Sequence, residues 1–243
     1  MPAVALHTII EALAYFVGFR VFLFERRRLA LPVLADTDSS VWIAVAAIAG
    51  AALGAKLGYW IEDPQNAFAD FPDWRRLLEG KTIVGALLGG LAGVEIAKRA
   101  IGARGSSGDA FAFPLMIGIA IGRVGCFLAG LPDHTYGNPT TLPWGVDFGD
   151  GVARHPTQLY EIAFLLPLMV LIYARREAFA REGDRFRFFM VAYLAFRLVI
   201  DAIKPVPYAY FGLLSGIQLL CIAGLCYYWR DLPRLVRDVW ARS

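Results

Sequence analysis

The chain has 243 residues, of which 58% are hydrophobic and only 19% are charged. This apolar surface exceeds what one soluble domain can bury, so the composition excludes an ordinary soluble protein and indicates an integral membrane protein. The net charge of +3 is small, and the basic residues form short clusters between apolar runs, which argues against nucleic-acid binding. The three cysteines show neither CxxC spacing nor a histidine cluster along the sequence, so we expect no disulfide and no zinc site.

Apolar segments of about 20 residues recur along the chain, and a helix of that length crosses the core of a bilayer. They predict an all-α integral membrane protein with about seven transmembrane helices. The first segment ends in a basic cluster and has no small-residue cleavage site after it, so we expect a retained helix and not a removable signal peptide. The predicted spans are residues 5–24, 41–61, 82–101, 110–130, 157–174, 187–204 and 209–229.

The Lys and Arg residues of the loops predict the orientation, because basic loops stay in the cytoplasm. If seven helices alternate, most basic clusters fall on one side, which places the N-terminus outside and the C-terminus in the cytoplasm. The periplasmic loop between helices 4 and 5, residues 132–156, is of the kind that often carries functional residues. Residues 1–243 are predicted to form a single domain, in which residues 231–243 form a basic amphipathic helix on the inner leaflet. The basic residues left on the outer side are Arg75, Arg76, Lys81, Arg154 and Lys204.

Charged residues within the predicted spans are functional hypotheses, because each costs about 2.5 to 3.5 kcal/mol to insert. Arg20 and Lys56 lie near helix ends, where a long side chain reaches the interface without a functional reason. Arg123 lies among glycines in the fourth span, which leave room for a phosphate to bind its planar guanidinium. The alternative is a structural arginine paired with an acid such as Glu11 or Asp201.

Two other helix faces carry polar residues in otherwise apolar spans. Tyr193, Arg197 and Asp201 are spaced four residues apart, so they share one face of a helix. Asp201 either neutralises Arg197 or holds it against a substrate, and the two readings are compatible. In the first span, His7 lies one turn before Glu11 and can hydrogen-bond it, either as a simple polar contact or as part of a site.

The segment of residues 154–161 predicts the start of a helix, because Pro156 is tolerated in a first helical turn. Gln158 and Glu161 would then project from that turn at the membrane surface. His155 stands at the junction between loop and helix, where it is either a packing residue or a catalytic base.

Several unusual motifs in the central part of the chain occur in a fixed order and resemble the central block of prolipoprotein diacylglyceryl transferases. They are Gly122 to Phe127, Tyr136 to Thr140, Leu142 to Val146 and His155 to Glu161. Weaker similarity extends over the rest, in Gly54 to Tyr59, Leu87 to Gly90, the residues Tyr193, Arg197 and Asp201, and Gln218. The seven spans and outward N-terminus of that family agree with the topology predicted from charge.

The resemblance implies a transferase of the bacterial inner membrane that needs no metal and no cofactor. Its substrates would be phosphatidylglycerol, a lipid of the bilayer, and the lipobox segment of a prolipoprotein, whose cysteine thiol receives the diacylglyceryl group. Arg123 and Arg197 would bind the phosphate and stabilise its departing charge. Tyr193 would orient the substrate or donate a proton to it, and Gly137 would shape the loop over the site. The expected catalytic set is Arg123, Arg197, Tyr193 and His155, and the expected substrate-binding set is Arg123, Arg197, Gly137, Gln158, Glu161 and His7.

The chain departs from the family pattern at the position of the usual base. Val84 stands where the resemblance implies a histidine that serves as this base, and Cys126 stands where it implies an asparagine. If the chain is an active transferase, another group such as His155, His134 or Glu11 is then the base. The alternatives are a paralogous membrane transferase with a different acceptor and a non-catalytic phospholipid-binding protein.

Overall fold

A computed structural model of the protein describes residues 3–69, 80–179 and 181–240. Within these residues the chain is predominantly helical, which confirms the predicted all-α class. The basic residues Arg75 and Arg76, which the sequence places on the outer side, lie outside the described residues. The helices are α1 (Ala3–Leu29), α2 (Thr37–Glu62), α3 (Pro64–Phe68), α4 (Ile83–Ala100), α5 (Asp109–Ala129), α6 (Thr157–Ala174), α7 (Asp184–Ile200), α8 (Gly216–Tyr227) and α9 (Leu232–Trp240).

Four of the described helices are long and apolar enough to cross a membrane: Leu6–Leu29 of α1, and α2, α5 and α6. α8 is a shorter apolar helix. Two predicted helix starts agree with the structure. Thr82 precedes α4 and accepts a hydrogen bond from the Gly85 backbone at 3.2 Å, and α6 begins directly after Pro156.

The predicted span of residues 209–229 is wrong in its first part. Residues 209–215 form a hairpin of β3 (Ala209–Tyr210) and β4 (Leu214–Ser215), and α8 begins only at Gly216. Phe211 and Gly212 have φ angles of 54° and 67°, which reverse the chain between the two strands. Ser215 and Gln218 then form a capping box that starts α8. This cap was not identified from the sequence, because it lies within the apolar segment predicted as one span.

The chain contains two compact units, and the first includes α1, α5, α6, α7 and α9. In this unit α1 packs along α5, with Phe22 stacked on Phe111 at a ring separation of 4.7 Å. Asp109 at the start of α5 accepts hydrogen bonds from the backbone of Gly183 and Phe186, which fixes the start of α7. The prediction of a single domain over residues 1–243 stays a prediction.

The predicted amphipathic helix at the C-terminal end is present as α9. Its Leu235 and Val239 are buried, and its Arg234 forms a salt bridge with the buried Asp184 of α7. The buried face therefore packs on the protein.

The second unit includes α2, α3, α4 and α8. The backbones of α2 and α4 approach each other so closely that a Cβ atom on Gly54 would overlap the carbonyl oxygen of Gly85, and a Cβ atom on Gly85 would overlap that of Gly54. Gly50 and Gly89 meet in the same way one turn further along. This is the close packing of small residues that is typical of helix pairs in membranes.

Between α5 and α6 the chain forms an ordered loop with a 3₁₀ turn (Leu131–Asp133) and a small hairpin. Its strands are β1 (Val146–Asp147) and β2 (Ala153–Arg154). Asn138 extends the arrangement, because its backbone carbonyl accepts from the His155 backbone at 3.1 Å and its side chain donates to the Lys204 carbonyl at 3.3 Å. The predicted loop is therefore present, and these hydrogen bonds fix it within the first unit.

Candidate functional site

Glu161 of α6 is the centre of a buried polar cluster and has only 1% of its surface exposed. Its Oε1 accepts a hydrogen bond from the Tyr193 hydroxyl at 2.6 Å. Its Oε2 lies 2.9 Å from Nε of Arg123 and accepts a hydrogen bond from Nη1 of Arg197 at 3.2 Å. Side chains from α5 and α7 therefore converge on one carboxylate of α6.

The predicted polar face of α7 is confirmed. Tyr193 and Arg197 both contact Glu161, and Nη2 of Arg197 lies 3.6 Å from Oδ1 of Asp201. Arg123 pairs with Glu161, a partner that the sequence did not suggest. Spacing along one helix shows which residues share a face, but it does not show which helix packs against that face.

The expectation that Gln158 and Glu161 project at the membrane surface is wrong, because both are fully buried within the protein. The physical reason is that α5 and α7 pack against the face of α6 that carries these two residues. Nε2 of Gln158 and both carboxylate oxygens of Glu161 therefore meet protein partners and not the bilayer surface.

The cluster holds its charges in balance but leaves polar groups without partners. The positive charges of Arg123 and Arg197 formally equal the negative charges of Glu161 and Asp201, and all four side chains are buried. Nε of Arg123 is taken up by the ion pair with Glu161, whereas Nε of Arg197 makes no hydrogen bond within the described residues. An unpaired buried donor costs about 1 to 3 kcal/mol, so an oxyanion that reaches Nε of Arg197 gains a charge-assisted contact.

A second chain of polar contacts leads from α6 to α1. Nε2 of Gln158 donates to the Thr135 hydroxyl at 3.0 Å, and that hydroxyl donates to Asp133 Oδ2. Asp133 Oδ1 lies 3.3 Å from Nδ1 of His7. The structure thus connects two residues of the expected substrate-binding set, Gln158 and His7, through two that the sequence did not single out.

The residues that sequence reasoning missed are Asp133 and Thr135. Both lie in the loop predicted to be functional, but neither belongs to a motif with recognisable spacing. Thr135 also accepts a hydrogen bond at its backbone carbonyl from the Thr157 hydroxyl at 2.6 Å, directly at the start of α6. The only available signal was a run of polar residues immediately before the Tyr136 motif.

His155 belongs to a separate contact within the same unit. Its Nδ1 lies 3.2 Å from the Tyr160 hydroxyl, which in turn accepts a hydrogen bond from the Trp144 indole at 2.8 Å. Gly137 lies against it, since a Cβ atom on Gly137 would be 2.7 Å from Cβ of His155 and 2.8 Å from the Ile203 carbonyl oxygen. This close approach explains why a glycine stands in the loop at this position.

The loop of the small hairpin carries an exposed ion pair. Arg154 donates two hydrogen bonds of 2.7 Å to the carboxylate of Asp150. These bonds hold the pKa of Asp150 below its ordinary value and raise the pKa of Arg154. The guanidinium of Arg154 also lies 5.1 Å from the centre of the Tyr136 ring, which fastens the hairpin to the preceding motif.

The two positions that depart from the family pattern are well defined. Val84 is buried in the first turn of α4. The sulfur of Cys126 lies 3.9 Å from Nη1 of Arg123, so a permanent cation faces this thiol. The remaining histidine, His134, adopts a left-handed backbone conformation, and its ring lies 6.4 Å from that of Tyr136. The expectation that the protein holds no metal stays a prediction.

A helical membrane protein with two buried arginines on one carboxylate is the class that this fold and site define. The model of the family described as prolipoprotein diacylglyceryl transferase matches residues 2–229, and the chain belongs to this family. The chain is 35% identical to a protein of Geobacter sulfurreducens over 213 residues, which cover 84% of this chain and 76% of that protein. It is 34% identical to a protein of Solidesulfovibrio magneticus over 248 residues, which cover 94% of this chain and 86% of the relative. Both relatives are named phosphatidylglycerol–prolipoprotein diacylglyceryl transferase.

Proposed function

We propose that the chain is a transferase that moves the diacylglyceryl group of phosphatidylglycerol to the thiol of a prolipoprotein lipobox cysteine. The observation that carries the proposal is the pair of arginines, Arg123 and Arg197, buried in the helices and held by Glu161. Phosphatidylglycerol brings a phosphodiester to such a pair and enters from the bilayer. The membership of the chain in the family supports the same reaction.

The reaction places definite demands on the site. The sulfur attacks the glyceryl carbon that carries the phosphate, a carbon–sulfur bond forms, and the carbon–oxygen bond breaks. The electron pair of that bond leaves with the phosphate as glycerol phosphate, so negative charge grows on the phosphate oxygens. Arg123 and Arg197 stabilise this growing charge, a contribution that is often the largest in such reactions.

The other predicted residues have supporting roles in this proposal. Glu161 fixes the two guanidinium groups, and Tyr193 orients Glu161 through its hydroxyl. Gln158 holds the loop through Thr135, and Gly137 lets the loop approach α6 closely. The thiol also needs a proton acceptor, for which the sequence indicated His155, His134 or Glu11.

The topology is part of the same proposal. α4, α7 and α8 complete seven membrane spans with the four long apolar helices, and the basic loops give an outward N-terminus and a cytoplasmic C-terminus in the inner membrane. The lipobox cysteine and the loop before α6 then lie on the periplasmic side. Reporter fusions after α1, α6 and α8 test this orientation, and a cytoplasmic N-terminus contradicts it.

A reconstituted assay tests the proposed reaction. Purified protein in vesicles that contain phosphatidylglycerol is incubated with a lipobox peptide, and the peptide is weighed by mass spectrometry. We expect a diacylglyceryl mass gain and release of glycerol phosphate, and the loss of both in Arg123→Ala and Arg197→Ala. An unmodified peptide with the wild-type protein contradicts the proposal.

The departures from the family pattern support a second candidate function. Val84 is apolar and buried at the position where the resemblance implies a histidine, and Cys126, beside Arg123, stands where the resemblance implies an asparagine. This pattern favours a paralogous transferase that uses the same arginines with a different acceptor. If the peptide stays unmodified while a deletion strain shows an altered lipid profile, this candidate replaces the first.

A further inference from the structure

We propose that His7 is the group that accepts the proton of the acceptor thiol, with Asp133 as its positioning residue. The inference rests on the proposed function and adds the base that the reaction needs. His7 lies near the start of α1, and 20% of its side chain is exposed, so a substrate thiol can reach the ring. No motif of the sequence pointed to this role for His7.

The two ring nitrogens of His7 have different surroundings. Nδ1 lies 3.3 Å from Oδ1 of Asp133, and a carboxylate at this place holds the ring proton on Nδ1. Nε2 then carries the lone pair that accepts a proton. Nε2 lies 3.7 Å from Oε2 of Glu11, beyond hydrogen-bonding distance but close enough to attract an imidazolium. The positive charge that His7 gains is therefore balanced by carboxylates on both sides.

The position of His7 relative to Arg123 fits a displacement reaction. The side chains of His7, Cys126 and Asp133 approach one another, with one polar atom of each within 4.8 Å of the others. The sulfur of Cys126 is in turn 3.9 Å from Nη1 of Arg123. His7 therefore lies next to Arg123 and leaves its guanidinium to the phosphate. This is required when the thiol and the phosphate sit on opposite sides of the reacting carbon.

Helix α6, whose Glu161 holds the two arginines, also positions the proposed base. Asp133 accepts a hydrogen bond from Thr135, and Thr135 accepts one from Gln158, which stands one turn before Glu161 on α6. Ile10 of α1 packs against α5, since a Cβ atom on Gly125 would lie 3.1 Å from its side chain. A base and an anion site that are both tied to α6 by these contacts keep a fixed separation, which is the requirement for aligned attack.

His155 fits the role of base less well. Tyr160 accepts a hydrogen bond from Trp144 and has its own hydroxyl proton left for Nδ1 of His155. In that arrangement Nε2 of His155 carries the ring proton and has no lone pair for another. His155 therefore organises the loop, and His7 keeps a free acceptor.

In the proposed step the proton passes from the acceptor thiol to Nε2 of His7, and the thiolate attacks the glyceryl carbon. The carbon–sulfur bond forms as the carbon–oxygen bond breaks, and glycerol phosphate leaves with the electron pair. His7 then gives its proton to the departing phosphate or to water. The step balances without a metal, an oxidant or a further reactant.

The test compares two acceptor peptides that differ in one atom. One lipobox peptide carries cysteine, and the other carries selenocysteine, whose selenol is largely deprotonated at neutral pH and needs no base. For His7→Gln we expect transfer to the cysteine peptide to fall by about 100-fold or more, the usual contribution of a positioned base. Transfer to the selenocysteine peptide should fall by less than about 10-fold, because the base is no longer required.

Asp133→Asn gives a second and milder variant. It leaves the base in place but removes the carboxylate that orients it, so we expect a loss of about 10-fold with cysteine and a smaller loss with selenocysteine. Equal losses with the two peptides for both variants would assign His7 and Asp133 a structural role and overturn the proposal. A free energy of unfolding in detergent micelles close to that of the wild type shows that each variant is folded.

The same pair of peptides separates this inference from the function on which it rests. If the wild-type protein modifies neither peptide, the proposed transferase function fails. If the wild type is active and His7→Gln retains its rate with cysteine, only the assignment of the base fails. A selective loss with cysteine in His155→Gln or His134→Asn, and none in His7→Gln, moves the base to that residue.

Discussion

Two helix contacts in this protein differ in the residues that form them. The cluster around Glu161 joins α5, α6 and α7 through charged side chains, whereas α2 and α4 meet through glycines with almost no side chain between them. The first contact depends on every partner being present, because a charge left alone in a low-dielectric interior is costly. The second depends on the absence of side-chain atoms at the glycines, because the backbones of α2 and α4 already touch. The difference predicts opposite responses to small substitutions.

The largest effect is expected for Glu161→Gln. The substitution keeps the shape of the side chain but leaves Arg123 and Arg197 without their shared anion, and breaking such a buried pair costs about 3 to 5 kcal/mol. The free energy of unfolding in detergent micelles, measured by chemical denaturation, checks this value.

Glu95→Gln is the matched control for the charged cluster. Glu95 pairs with Lys98 on the same helix at 2.9 Å and is 38% exposed at its side chain. A partly exposed pair of neighbours on one helix is worth about 1 kcal/mol or less. Equal losses in the two variants would show that the Glu161 cluster is not a special contact.

A smaller loss is expected for Gly54→Ala. The new methyl group meets the Gly85 backbone, so α2 and α4 must separate, and such overpacking costs about 1 to 3 kcal/mol. Gly90→Ala is the control, because its Cβ would have ordinary contacts at 3.4 to 3.9 Å. There we expect a gain of about 0.5 to 1 kcal/mol from the better helix former. A stabilised Gly54→Ala protein contradicts the account of this interface.

Some features of the fold and the site could be predicted from the sequence, and others could not. Residues 157–174 were predicted as a helix because Pro156 marks its start, and the face of Tyr193 and Arg197 followed from helical spacing. Glu161 as the shared partner could not be predicted, because it depends on which helices pack together. The polar connection through Asp133 and Thr135 depends on loop geometry. The hairpin of residues 209–215 was missed because an apolar hairpin and an apolar helix have the same composition.

The smallest effect is expected in the exposed hairpin, for Asp150→Asn. The pKa of Asp150 lies below its ordinary value of 3.8 because Arg154 hydrogen-bonds the carboxylate, so this contribution is present above that value and is lost as pH falls through the lower folded value. Amide hydrogen exchange of residues 147–152 should be slower in the wild type than in the variant at pH 7. The difference should vanish in strong acid, and a difference that persists there contradicts the assignment.

The central claim is that Arg123 acts on the phosphate in the transition state, and the transfer rate of Arg123→Lys tests it most directly. Lysine keeps the charge but loses the planar donor set, so we expect lipid binding to remain while the rate with phosphatidylglycerol falls by about 100-fold. Arg20→Lys, at an exposed position of α1, should transfer at the wild-type rate. A wild-type rate for Arg123→Lys would contradict the claim.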